Sequence, residues 1–213
     1  MRRHIYTPTP VDAEWIDGLD IQSFWKVGAE TRRGLHPLLE RLLDQHPAWC
    51  GASVIAAFPG HGALPTATMA RQNDLWAILA GTSGILSLGV EVDAQIVADP
   101  QVGSWLQRSE DDRERRLSYL RDTLGLHASV ESDLQYYWLH RAASVLLEAG
   151  RIGAISSGLV VVSTMKAGVK HEFMKFAEQQ AAVFETSQMC WAASVRFRPF
   201  FLTWLDVPQS SEK

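Results

Sequence analysis

The apolar positions of this chain switch between a helical and a strand-like spacing, and the switches mark its elements. Leu38, Leu39, Leu42 and Leu43 share one helical face, with Pro37 in the first turn and Pro47 past the end. GASVIAAFPG (51–60) is an apolar run bounded by glycine and proline, and it reads as a strand. NDLWAILAG (73–81) reads as a short amphipathic helical segment, with Asn73 or Asp74 as N-cap and Gly81 as stop. ILSLGVEVD (85–93) is nearly continuous in its apolar character, as a strand covered on both faces of a mixed or parallel sheet would be.

The second half repeats the alternation. A helix over 109–125 opens on an S-x-x-D signature, Ser109 and Asp112, and ends at Gly125. Its arginines, Arg113, Arg115, Arg116 and Arg121, alternate with acids and read as a solvated face. The strongest helix runs from a Ser132–Gln135 capping box to Gly150, with Leu134, Trp138, Ala142, Val145 and Ala149 in one stripe. Residues 158–165 form a valine-rich strand. Residues 171–184 form an amphipathic helix with Phe173, Phe176, Ala177 and Phe184 inward, and 194–207 supply one or two closing strands. This order predicts an α/β fold with a mixed central sheet flanked by helices. The expected organisation is an N-terminal arm (1–24), one α/β domain (25–207) and a disordered tail (208–213). The expected core includes Ile85, Leu86, Leu88, Val90, Trp138, Leu139, Val145, Leu146, Val160 and Val162.

Composition narrows the class without naming it. Hydrophobic residues make up 46% and charged residues 21%, and the net charge is −4. That balance argues against indiscriminate electrostatic binding to nucleic acid and leaves room for a local basic groove. Cys50 and Cys190 form neither a C-x-x-C pair nor a zinc pattern, and they read as buried thiols in a reducing cytoplasm. No apolar run reaches membrane-spanning length and the N-terminus lacks a signal-peptide core, so a cytoplasmic protein without a membrane partner is expected.

The candidate chemistry gathers around Arg71–Gln95. In a strand, Glu91 and Asp93 point to the same side. Carboxylates about 4–5 Å apart repel by roughly 4 kcal/mol at an effective dielectric of ~20, unless they are solvated, share a proton or bind a cation. Asp74 joins them if the preceding segment packs back. Acidic triads of this kind hold Mg²⁺ or Mn²⁺ in phosphodiester chemistry. The same spacing also describes a strand that ends in a polar turn, and Asp74 also suits helix capping. His140 and Arg141 are polar exceptions in the middle of the long apolar helix.

The stretches FWKVGAE, QNDLWAILAG, SLGVE and LHRAASVLLEAGRIGA together resemble the PD-(D/E)XK superfamily of restriction-endonuclease-like nucleases. The likeness spans roughly residues 22–180, to a bacterial branch whose E-x-K motif is degenerate. It implies Asp74 as the first metal-ligating acid, Glu91 as the acid of E-x-K, and Gln135 as the helix glutamine beside the site. The sequence departs from the motif at its third position, where Asp93 replaces the lysine. Lys166, His140 and Arg141 are the candidates to substitute for it in space. Two expectations follow. One is a Mg²⁺-dependent phosphodiesterase acting on nucleic acid, with Asp74, Glu91 and Asp93 on the metal and Gln135 with His140 or Arg141 on water or phosphate. The other is a nuclease-like module without catalysis that binds a protein or nucleic-acid partner, or a second copy of itself, in a larger assembly.

Overall fold

The computed structural model describes residues 25–26, 28–61, 73–92, 100–107, 112–126, 132–163, 167–180, 183–184, 189–195 and 198–206. In chain order its elements are α1 (Pro37–Leu43), β1 (Ser53–His61), β2 (Asn73–Ala80), β3 (Ile85–Val92), α2 (Val102–Leu106), α3 (Arg113–Leu124), α4 (Tyr136–Arg151), β4 (Ser156–Ser163), α5 (Ala167–Gln179), β5 (Val183–Phe184), β6 (Met189–Val195) and β7 (Arg198–Asp206). The seven strands form one sheet in the order β1-β2-β3-β4-β7-β6-β5. β1, β2 and β3 are an antiparallel meander, while β3, β4 and β7 run parallel. The fold is therefore mixed α/β, as the alternation predicts.

Each face of the sheet has its own core. Leu39, Leu42 and Leu43 of α1 pack with Trp49 on Leu86, Leu88, Val90, Val160 and Val162. On the opposite face, helices α2 to α5 cover Leu159, Val161, Phe200, Leu202 and Trp204. Period-2 alternation explains the division, since neighbouring residues of β3 and β4 point to opposite cores. α4 is buried nearly all round because it lies between the sheet and α3. It approaches β3 closely over Gly89, where a Cβ would stand 2.3 Å from Val145 Cγ2 and 3.0 Å from Asn73 Nδ2. Glycine at 89 therefore sets how near the helix comes to the strand.

Several expectations need correction. Residues 73–80 are a strand, not a capped helix. Leu75, Ala77 and Leu79 face one core, Trp76 lies against α4, and hydrogen bonds to β1 and β3 on either side outweigh the helical propensity of Leu and Ala. Ile85 is 39% exposed at the first position of β3. The other nine expected core residues are buried.

Gln135 is the N-cap of α4 and its side chain makes no capping bond, so no capping box forms with Ser132. The Gln135 backbone instead bridges Gln101. The helix passes Gly150 and ends at Arg151, and Gly153, with φ 66°, is the glycine that turns the chain. α3 begins at Arg113, after an Asp112 that makes no side-chain cap bond, and Ser109 lies outside the described residues. Arg113 is buried rather than solvated, donating to the Trp105 carbonyl and lying over its ring. Phe184 belongs to β5, not to the preceding helix, and Cys50 is exposed. No described helix is long and apolar enough to cross a membrane.

Candidate functional site

Asp74 and Glu91 come together because β2 and β3 are antiparallel neighbours. Leu75 pairs with Val90, so the same register sets Asp74 opposite Glu91, on the face covered by α4. Side chains directly opposed in this way have Cβ atoms about 4.5–5.5 Å apart. One Asp74 oxygen, Oδ2, accepts the Val92 N–H at 2.8 Å, which ties Asp74 to the end of β3.

Two donors from α4 meet Glu91, which is fully buried. The Tyr137 hydroxyl donates to Oε2 at 2.7 Å, and Arg141 Nε stands 3.3 Å from the same oxygen. Tyr137 and Arg141 lie one helical turn apart, and the guanidinium carbon is 4.7 Å from the centre of the tyrosine ring. Oε1 of Glu91 is buried with no hydrogen-bond partner.

Burial pushes the Glu91 carboxyl up to about 8. Arg141 works against that rise, the Asp74 charge adds to it, and the Tyr137 hydroxyl and the Asp74 backbone N–H oppose it. Burial also raises Asp74, against the lowering effects of the Val92 N–H and of Arg141. Tyr137 is held well above its ordinary range by burial and then by the Glu91 charge, so it remains a hydroxyl donor. Burial disfavours the Arg141 charge, but Glu91, Tyr137 and Asp74 outweigh it and raise its pKa.

The other sequence candidates fall in different places. Gln135 starts α4, and its Oε1 is buried without a hydrogen-bond partner. His140 is buried on α4, its ring 6.1 Å from that of Tyr136. Asp93 and Lys166 lie outside the described residues. Among the described residues no three His, Cys, Asp or Glu side chains gather as a metal-binding group, so the acid cluster there is a pair. Asn73, next to Asp74, is buried and its Oδ1 has no partner.

Reading the sequence missed Tyr137. The signal was available: Arg141 stood out as a charge on an apolar helix, and the residue one turn earlier shares its face. The donor set of the pair is all oxygen, with one buried carboxylate oxygen unpaired, which suits a hard divalent cation better than zinc.

No curated protein and no solved structure matches the chain. Over residues 14–209 the chain matches the profile of a domain of unknown function, DUF6946, and it belongs to that family.

Proposed function

We propose that this chain is a PD-(D/E)XK-like protein whose Asp74–Glu91 pair holds Mg²⁺ or Mn²⁺ for hydrolysis of a phosphodiester in nucleic acid. The observation that carries the reading is the opposition of Asp74 and Glu91 across β2 and β3, with Arg141 beside Glu91. The order of a helix, three antiparallel strands, three helices and a parallel strand, with the acids on the second and third strands, supports it as well. In such a site the cation acts as a Lewis acid on the phosphoryl oxygen and lowers the pKa of its water. Asp74 and Glu91 are the ligands. Arg141, fixed against Glu91 and the Tyr137 ring, holds a permanent positive charge where the motif lysine is missing. That charge favours a substrate phosphate near the acids.

One observation favours the alternative, a nuclease-like module that binds a partner without cleaving. Arg141 already offsets the negative charge of the pair, and a proton on Glu91 near neutral pH completes the balance. Cleavage assays with Mn²⁺ on single- and double-stranded DNA and RNA separate the two readings. Under the first, the wild type cleaves, and Asp74→Asn and Glu91→Gln each lose at least ~10²-fold through lost metal-assisted catalysis. A wild type that binds Mn²⁺ and cleaves none of the four substrates favours the module, and gain of cleavage in Asp93→Lys would then mark a decayed nuclease. Calorimetry that finds no Mn²⁺ binding at millimolar metal, with and without an oligonucleotide, removes the site.

A further inference from the structure

We infer that Tyr137 is a positioning residue that decides which oxygen of Glu91 is presented to a divalent cation. The inference rests on the metal reading above and adds a residue to it. A carboxylate has two oxygens and about four acceptor positions. In Glu91 the donors are divided unevenly. Oε2 takes the Tyr137 hydroxyl at 2.7 Å and faces Arg141 Nε at 3.3 Å, whereas Oε1 is buried with no hydrogen-bond partner.

The imbalance is built into α4. Tyr137 and Arg141 are one turn apart, both are buried, and the guanidinium lies over the tyrosine ring. Each side chain therefore limits the movement of the other. Neither can shift to Oε1 without losing the ring contact or the hydrogen bond to Oε2. A carboxylate free to rotate would offer either oxygen, or both in a bidentate grip. Clamped at Oε2, Glu91 leaves Oε1 as the oxygen open to a cation. When Glu91 is ionised, Oε1 is a buried acceptor without a partner, and a cation there would satisfy it. Phenylalanine would fill the same space, so the hydroxyl is the part of Tyr137 that this role requires.

Tyr137→Phe tests the assignment, with Mn²⁺ alone as the probe and calorimetry as the readout. Loss of a partner that orients a metal ligand weakens metal affinity by roughly 10–100-fold, so Kd for Mn²⁺ should rise at least ~10-fold. Leu139→Ala, a buried change on the same helix, serves as the stability control. It should lower the melting temperature and leave Kd within ~2-fold, which shows that instability by itself does not weaken binding. Wild-type affinity in Tyr137→Phe, alongside lost affinity in Glu91→Gln, overturns the role of Tyr137 and leaves the metal site standing. An equal loss of affinity in Leu139→Ala and Tyr137→Phe also overturns it, because the effect would then follow stability. A wild type that binds no Mn²⁺ overturns the metal reading and the inference together.

Discussion

Arg141 Nε stands 3.3 Å from Glu91 Oε2, so among the described residues the cation that meets this acid comes from the covering helix rather than from the strand that carries it. The two are 50 positions apart in the sequence. The contact exists because α4 crosses the face of β3 above Gly89 and presents Tyr137 and Arg141 over the end of the strand.

Removing that cation should be costly. Arg141→Met leaves Glu91 and Asp74 facing each other in a buried site. Breaking a buried ion pair by losing one partner costs about 3–5 kcal/mol. The loss should grow from pH 6 to pH 9, because the variant will hold the Glu91 proton to higher pH than the wild type does. Urea unfolding at both pH values checks this. A loss below ~1 kcal/mol at pH 9 would mean that Arg141 does not stabilise the pair.

Glu91 makes stability depend on pH in a stated direction. Its folded pKa of about 8 lies above its ordinary 4.5. Between those values the native carboxyl keeps a proton that the unfolded chain has released, so stability falls as pH rises through the window. Below it both states are protonated and the effect vanishes. Above it the full penalty applies, on the order of 3–5 kcal/mol. The raised Asp74 adds a fall of the same sign, beginning near its ordinary 3.8. Glu91→Gln should therefore match the wild type near pH 5 and exceed it at pH 9. Melting curves of the two proteins that keep a constant gap across this range would contradict the assignment.

The same proton governs metal binding. Mn²⁺ must displace it from Glu91, so the apparent Kd should tighten up to about tenfold per unit between pH 6 and pH 8 and then level off. Isothermal titration at half-unit steps measures this profile. Binding that does not change over pH 6–8 would show that Glu91 is not a ligand.

Gly89 should tolerate nothing larger. In Gly89→Ala the new methyl would meet Val145 Cγ2 at 2.3 Å, so α4 must lift from β3 or Val145 must change rotamer. Overpacking of this kind costs about 1–3 kcal/mol. It should also weaken Mn²⁺ binding, because lifting α4 withdraws Tyr137 and Arg141 from Glu91. Gly89→Ala paired with Val145→Ala should recover part of both losses.

What the sequence determined by itself was set by local rules. The apolar runs at 85–92 and 158–163 are strands buried on both faces, the run at 51–60 is the half-buried edge strand β1, and the stripe through Trp138, Ala142 and Val145 is a buried helical face. Glu91 was legible as a carboxylate at the end of a buried strand, and Arg141 as a charge in the middle of an apolar helix. Only the tertiary structure decided the rest. NDLWAILA satisfies a helical capping pattern and a strand equally well, and pairing with β1 and β3 on both sides settled it as a strand. That choice moved Asp74 from a helix cap to the position opposite Glu91. Tyr137 carries no charge, and only its place one turn before Arg141 set it apart from its neighbour Tyr136. Its role arises from the crossing of α4 over Gly89, a long-range packing event that no window of adjacent residues encodes.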